Sequence, residues 1–104
     1  MTQREIWTCD FDAAGPHPAV IVSHPDRVAR STHVNILIGS SQRAGRAEFP
    51  LNGADGLDWE TLVKCDRMYL VEKITFYRRR GLVTPNRRSA LIRQINASFG
   101  FTGL

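Results

Sequence analysis

His17 is the residue whose type and setting first suggest chemistry. It lies between Pro16 and Pro18, directly before the apolar run of residues 19–22. Each proline fixes its own φ angle and favours an extended conformation in the residue before it. The imidazole is therefore predicted to sit at the entrance of a strand. Because imidazole exchanges protons near neutral pH, it is a candidate general acid or base. Taken alone, the same residues are more typical of an ordinary turn.

Further polar groups of suitable type follow the predicted strands. RNA carries its own nucleophile, the 2′-hydroxyl, so its cleavage needs a proton acceptor, a cation beside the phosphorane and a hydroxyl or amide donor. His17, Ser40 and either Arg43 or Lys64 provide these types at strand ends or in adjoining loops. A barrel can bring such positions to one rim. Ser40 is also typical of a serine that caps a strand end, and Arg43 and Arg46 are also typical of a solvated loop.

Other kinds of site have weaker support. The three histidines are seven and nine residues apart, and no CxxC or HxxxH pair accompanies them. No glycine-rich phosphate loop of standard spacing is present. Ser40, His17 and Asp66 could form a Ser-His-Asp triad, but no nucleophile-elbow sequence surrounds a serine. We therefore predict neither a metal nor a cofactor.

The positive charge is concentrated at the C-terminal end of the sequence. The formal net charge is +4, yet residues 73–104 contain seven lysines and arginines and no acidic residue. This distribution favours a polyanionic partner, with nucleic acid as the first candidate. A solvated face that meets an acidic protein is the alternative.

Length and cysteine content indicate one soluble domain. The 104 residues are interpreted as a single domain, 1–104, with no linker or repeat. Two cysteines do not make a disulfide framework. The apolar runs are too short to cross a bilayer, and the sequence begins with no signal-peptide pattern. We expect a cytoplasmic protein with reduced thiols.

Short strands separated by glycine and proline predict a mainly β fold, a small antiparallel barrel. The predicted strands are residues 5–11, 19–23, 34–38, 48–51, a strand ending at Cys65-Asp66, and residues 68–71. Residues 24–31 are interpreted as a turn and a polar segment. For residues 78–83, strand and loop are both left open.

A C-terminal helix over residues 85–99 is predicted from its end signals. Thr84 suits the N-cap, Pro85 the first helical position and Gly100 the left-handed residue after the end. An apolar stripe expected to pack on the barrel comprises Leu91, Ile92, Ile95 and Phe99.

Four segments in this order resemble the MazF/PemK-like toxins of bacterial toxin–antitoxin systems. The resemblance runs from about Glu5 to Phe99. It rests on Glu5-Ile-Trp-Thr-Cys-Asp-Phe-Asp12, Gly15-Pro-His-Pro-Ala-Val-Ile-Val-Ser23, Val34-Asn-Ile-Leu-Ile-Gly-Ser-Ser41 and Val63-Lys-Cys-Asp66.

The resemblance implies an SH3-like barrel, usually homodimeric, that cleaves single-stranded RNA without a metal and is blocked by a cognate antitoxin. The family's catalytic arginine falls at His17 and its catalytic threonine at Ser40. Its RNA-binding or acid–base positions fall at Lys64 and Asp66. Arginine stays charged whereas histidine exchanges protons, so this sequence implies either a shift toward histidine acid–base catalysis or a loss of cleavage.

Three functional hypotheses follow. The first is a toxin that cleaves single-stranded RNA by attack of the 2′-hydroxyl, with His17, Ser40 and Asp66 as catalytic residues. In this hypothesis Lys64, Arg43 and Arg46 contact the RNA. The second is a CcdB-like toxin that binds gyrase without catalysis. The third is a non-catalytic nucleic-acid-binding module built on the arginine-rich end.

Overall fold

The computed structural model describes residues 1–40, 48–58 and 60–100. Six strands and two helices make up most of this part of the chain. They are β1 (Glu5–Asp10), β2 (Pro16–Ile21), α1 (Pro25–Arg30), β3 (His33–Ser40), β4 (Glu48–Leu51), β5 (Thr61–Glu72), β6 (Phe76–Leu82) and α2 (Pro85–Phe99). Three short 3-10 turns, Asp12–Ala14, Gly53–Asp55 and Lys73–Thr75, connect β1 to β2, β4 to β5 and β5 to β6.

The strands form one antiparallel sheet with the order β4-β5-β3-β2-β1-β6. The sheet curls into a half-barrel, and α2 follows it at the C-terminal end. The predicted fold class, a mainly β antiparallel barrel with a C-terminal helix, is confirmed, and the barrel takes the form of this curled six-stranded sheet. None of the helices in the described ranges is long and apolar enough to cross a membrane.

Alternating side chains give the sheet two apolar faces. The face toward α2, here called the α2 core, contains buried residues such as Ile6, Leu37 and Leu91. The other face, here called the α1 core, contains Cys9 and Ile36 and is completed by other residues that include Val28 of α1. Successive strand side chains point to opposite faces. Every second residue of a strand therefore points to the same face, and the position of a residue in its strand decides which face it shares.

Helix α2 begins and ends where the sequence predicts. Pro85 is its first residue and Gly100 follows it with a φ angle of 67°, in the left-handed region. Thr84 precedes the helix but its side chain makes no capping hydrogen bond. Leu91 and Ile95 pack on the α2 core. The expectation that the whole stripe is covered was wrong, because Ile92 is 49% exposed and Phe99 is 38% exposed.

Strand β5 is one continuous strand where two were predicted. Leu37 of β3 pairs with Met68, and Gly39 pairs with Val63. Residues 64–67 of β5 therefore lie opposite the single residue Ile38 and form a bulge. A bulge bends a strand without ending its pairing, which explains why the sequence here resembles two short strands.

Two other segments differ from prediction, and a third decides between the strand and the loop that were left open. Strand β2 begins at Pro16, so it includes His17, which was predicted to precede the strand. The segment left open is β6, paired with β1. The predicted turn and polar segment contains α1, whose first turn is capped by His24: its Nδ1 accepts a hydrogen bond from the Asp26 amide at 3.1 Å.

The two ends of the sheet meet at the turn Gly53–Asp55. Asp55 is 2% exposed and forms an ion pair with Arg87 of α2, which also donates to the Pro50 carbonyl. A Cβ added to Gly81 of β6 would lie far inside van der Waals distance of the Asp55 carbonyl oxygen. The end of β6, the turn after β4 and the start of α2 are therefore held together.

Candidate functional site

His17 lies in β2, opposite Cys9 of β1, and its ring is half-buried. Both ring nitrogens face backbone oxygens. Nδ1 lies 3.2 Å from the Gly39 carbonyl oxygen, and Nε2 lies 3.1 Å from the Ala14 carbonyl oxygen. Carbonyl oxygens only accept hydrogen bonds. A neutral imidazole can therefore satisfy one of them, and the doubly protonated imidazolium can donate to both.

Ser40 lies next to His17 across the β2–β3 ladder. Ala19 pairs with Ile38, and the same register continued toward the strand ends places His17 opposite Ser40. The close approach of Pro18 to Gly39 supports this, because a Cβ on Gly39 would lie 3.2 Å from the Pro18 carbonyl oxygen. Directly opposed residues point to the same face of a sheet. The structure therefore brings His17 and Ser40 together, on the face of the α1 core.

Lys64 is buried in an ion pair. Its side chain is 4% exposed and pairs with Glu48 of β4, which is 8% exposed. The two residues are direct partners in the β4–β5 ladder. A lysine held in this way does not present its ammonium group to solvent. The structure thus gives Lys64 a part in fixing β4 to β5 beside the bulge.

Asp66 lies in the β5 bulge and is exposed. The bulge faces Ile38 of β3, two residues before Ser40. Asp66 therefore lies near the end of β3 at which His17 and Ser40 meet. Arg43 and Arg46, both predicted to contact RNA, lie outside the described residues.

Two aromatic rings continue from His17 across the same face. The Phe11 ring meets the His17 ring edge-on with centroids 6.1 Å apart, and it meets the Tyr69 ring edge-on at 5.9 Å. Tyr69 is 44% exposed. Sequence reasoning missed this pair as a functional surface. The signal was available for Phe11, since strand alternation places it on the face of Cys9, which is the partner of His17.

An open cavity of about 470 Å³ adjoins the two rings. Phe11 and Tyr69 form part of its wall. Its carboxylates come from the end of β1, from the β1–β2 connection and from the end of β5. They are Asp10, Asp12 and Glu72. Its wall thus combines aromatic faces with hydrogen-bond acceptors.

Part of the basic C-terminal third is used inside the molecule. Arg79 donates from Nε to Glu5 at 2.7 Å, and Arg80 donates to the Thr8 hydroxyl at 3.2 Å. Arg87 pairs with Asp55. The excess of positive charge is therefore partly neutralised by the fold, so the total charge overstates the free basic surface.

Groups that could bind a metal are not clustered in the ranges that the structure describes. No group of three His, Cys, Asp or Glu side chains there could hold an ion. His24 lies beside Asp26 and His33 lies beside Glu72, each as a separate pair.

Comparisons with known proteins identify the fold and the family. The chain is similar in structure to the Mycobacterium tuberculosis toxin MazF-mt6, with a TM-score of 0.83, 21% identity, and coverage of 93% of this chain and 97% of that chain. It is also similar to an endoribonuclease in complex with its cognate antitoxin from Mycobacterial species, with a TM-score of 0.86, 19% identity, and coverage of 100% and 99%. A MazE-MazF structure from Deinococcus radiodurans matches with a TM-score of 0.75, 13% identity, and coverage of 96% and 95%.

A search of curated proteins gives no match. The family model described as PemK-like, MazF-like toxin of type II toxin-antitoxin system matches residues 2–99. That range contains every strand and helix of the fold. The chain therefore belongs to the PemK-like, MazF-like toxins of type II toxin–antitoxin systems.

Proposed function

We propose that the protein cleaves single-stranded RNA without a metal, by attack of the 2′-hydroxyl on the adjacent phosphate. The observation that carries the proposal is the His17 ring, oriented by two backbone carbonyls beside Ser40. Orientation of an acid–base ring by fixed hydrogen bonds is a usual feature of proton-transfer sites. Two of the similar structures are described as endoribonucleases.

The two nitrogens of His17 take different parts in the proposed mechanism. The hydrogen bond from Nδ1 to Gly39 is partly buried and fixes the ring against β3. The hydrogen bond from Nε2 to Ala14 is exposed and lies at a loop. Nε2 can therefore exchange its carbonyl partner for an RNA oxygen. It is the atom that we propose as donor of a proton to the leaving 5′ oxygen.

Ser40 and Asp66 complete the proposed proton and charge chemistry. The Ser40 hydroxyl, on the same face as His17, donates a hydrogen bond to a phosphoryl oxygen. Asp66, exposed in the bulge, accepts the proton of the 2′-hydroxyl. The protonated His17 ring supplies positive charge beside the phosphorane, as the family's arginine position does. Because Lys64 is paired with Glu48, we propose that it supports RNA binding by holding β4 in place, without contacting the RNA itself.

The aromatic pair is the proposed platform for unpaired bases. Stacking of a base on an aromatic side chain contributes about 1–3 kcal/mol. Tyr69 and Phe11 are positioned for this on the face that holds His17. The carboxylates of the adjoining cavity disfavour phosphate there and accept hydrogen bonds from base N–H groups. Arg43 and Arg46 remain proposed phosphate contacts.

We further propose a cytoplasmic protein that forms a homodimer and binds a cognate antitoxin. Antitoxin complexes are described for two of the similar structures, the Mycobacterial endoribonuclease and the MazE-MazF structure. Their identities to this chain are 19% and 13%. The proposal of these partners therefore rests on membership of the family and not on conserved contact residues.

The test is cleavage of a defined single-stranded RNA in the presence of a chelator, with both new ends mapped. We expect a cyclic phosphate on the 5′ fragment and a 5′-hydroxyl on the 3′ fragment. His17→Ala should lower kcat by about 10²- to 10⁴-fold, the usual contribution of a positioned acid or base. His17→Arg restores charge without proton transfer. It should therefore retain RNA binding but lose kcat.

His24→Asn is the matched control, because His24 is an exposed histidine at the start of α1 and asparagine keeps an acceptor for the helix cap. It should cleave at the rate of the unmodified protein. Failure of the unmodified protein to cleave any of a set of RNAs, together with retained RNA binding, would favour a non-catalytic binding module. Cleavage that strictly requires added metal would overturn the mechanism.

A further inference from the structure

Two arginines that form no ion pair with the described residues meet at a second cavity, which His17 does not line. The cavity, of about 120 Å³, lies between the start of β1, the end of β2 and α2. Arg4 and Arg88 contribute its charge. The rest of its wall is formed by Gln3, Ile21, Val22, Leu91, Ile92 and Ile95. It is therefore an aliphatic cavity with positive charge on its wall.

Arg4 contains unused hydrogen-bond donors. Its Nε and Nη1 atoms are buried and have no hydrogen-bond partner in the described part of the chain. A buried donor left unsatisfied destabilises the folded protein, so such groups usually have a partner. Burial, and then the positive charge of Arg88, lowers the pKa of Arg4 from its ordinary value. An anion in the cavity would accept hydrogen bonds from these donors and would stabilise the charged form of Arg4.

The acidic residue next to Arg4 in the sequence and the buried Asp55 are engaged elsewhere. Glu5 pairs with Arg79 and lies 3.8 Å from the N-terminal amine, and Asp55 pairs with Arg87. Neither Arg4 nor Arg88 forms an ion pair with any of the described residues. The positive charge of the cavity is thus not offset by the part of the fold that the structure describes.

The backbone at Arg4 is held in an uncommon conformation. Its φ angle is 74°, in the left-handed region that favours glycine. Two hydrogen bonds hold it: the Arg4 amide donates to the Ile21 carbonyl at 2.7 Å, and the Val83 amide donates to the Arg4 carbonyl at 3.0 Å. Non-glycine residues kept in this region often belong to binding sites. Here the conformation accompanies a guanidinium on the wall of the cavity.

We propose that the Arg4–Arg88 cavity binds a carboxylate beside an aliphatic side chain, presented by a partner polypeptide. Charge complementarity requires an anion, and the aliphatic wall requires an apolar neighbour. The cavity is too small for a nucleotide, and none of the described residues that line it offers an aromatic ring for a base to stack on. Val22, Leu91 and Ile95 of its wall lie in or against the α2 core, and Ile21 belongs to the α1 core. Neither His17 nor Ser40 lines the cavity, so the site does not depend on RNA cleavage.

The test uses the full chain and the peptide acetyl-Leu-Glu-Leu-amide as probe, with acetyl-Leu-Gln-Leu-amide as its neutral match. Binding is followed by NMR shifts of the arginine Nε–H groups and the Ile92 methyls. We expect the acidic peptide to bind at least tenfold more tightly than the neutral one. Arg88→Gln should lower the affinity for the acidic peptide at least tenfold, and Arg4→Lys should lower it as well.

Arg93→Gln is the matched control, because Arg93 is exposed on α2 and does not line the cavity. It should leave binding unchanged. Arg88 is exposed, so Arg88→Gln is expected to have the melting temperature of the unmodified protein. The proposal can therefore be tested with Arg88→Gln even if Arg4→Lys does not fold. Equal binding of both peptides, or no shift up to about 10 mM peptide, would overturn the proposal. Binding of inorganic phosphate that matches the acidic peptide would also overturn it, in favour of a general anion site.

Discussion

Cys65 shows how the fold can silence a reactive residue beside a candidate site. It lies between Lys64 and Asp66 in the β5 bulge, but its side chain points into the α2 core and is 0% exposed. Burial, and then the negative charge of Asp66, raises the pKa of the Cys65 thiol to about 12. The thiolate is the reactive form of cysteine. The native thiol is therefore inert at neutral pH.

The raised pKa also makes a prediction about stability in alkali. The folded protein holds the Cys65 proton up to about pH 12, whereas an ordinary thiol loses it near pH 9.0. Stability that is fully present below pH 9 is thus lost as the pH rises toward 12. Compared with Cys65→Ala, the free energy of unfolding of the unmodified protein should fall by up to about 1.4 kcal/mol for each pH unit in this window.

Urea unfolding of both proteins at several pH values from 8 to 11 measures the difference between their free energies of unfolding. Contributions of other titrating groups are the same in both proteins and cancel in this difference. In parallel, a disulfide reagent at neutral pH should leave Cys65 unmodified until urea is added. Rapid labelling of the native protein at Cys65, or parallel stability curves for the two proteins, would contradict the assignment.

At the scale of elements, the half-barrel depends on a close approach between β6 and the turn after β4. Gly81 and Gly56 lie against each other there, and Gly56 has a φ angle of 94°. The Asn52 side chain accepts a hydrogen bond from the Ala54 amide, which orders the turn. The Asp55 backbone fits against position 81 only because glycine has no Cβ there. The curl of the sheet is therefore fixed by backbone contact as well as by side-chain packing.

Gly81→Ala is expected to destabilise the protein strongly. Its Cβ would overlap the Asp55 carbonyl, and both groups are backbone-anchored, so relief requires movement of β6 or of the turn. We expect a loss of about 3 kcal/mol or more in the free energy of unfolding, within the range for overpacking combined with backbone strain. Gly53→Ala, where a Cβ meets nothing within 4 Å, should change it by less than about 0.5 kcal/mol. Equal urea midpoints for the two variants would show that the contact is not structural.

Local signals explain which elements could be predicted from the sequence. Pro85 and Gly100 mark the ends of α2, because the signals for a helix end lie in a few neighbouring residues. Alternation was sufficient to place β1, and the short segment 34–38 was sufficient to place β3. The β5 bulge could not be predicted, since it depends on the register of Leu37 and Gly39 in a strand more than 20 residues away.

The candidate site divides in the same way. That His17 and Ser40 would share one rim followed from their positions at strand ends, and the register places them opposite each other. The burial of Lys64 could not be predicted, because its partner Glu48 lies 16 residues earlier and ordinary lysines are exposed. The Phe11–Tyr69 pair joins strands that are distant in sequence.

At the scale of the whole molecule, the part of β5 beyond the bulge has no described neighbour on the side of β4. β4 pairs with β5 only over Thr61 to Lys64. Beyond the bulge, no described strand pairs with β5 on that side. Met68 and Leu70 alternate along this part and are 42% and 58% exposed, and Ile74 after it is 85% exposed. An apolar strand edge of this kind is a template for pairing with another chain.

We propose that a second copy of the chain covers this apolar part of β5, as the homodimer expected for the family. A charge at its centre should then prevent association. Leu70→Asp is expected to change the protein from twice the chain mass to a monomer in light scattering coupled to size exclusion, at micromolar concentration. Burying an unpaired carboxylate in an apolar interface costs several kcal/mol, which is enough for a large loss of dimer affinity. Ala29→Asp, at an exposed position of α1, should remain a dimer. A monomeric unmodified protein would contradict the dimer, and a dimeric Leu70→Asp variant would place its interface on another face.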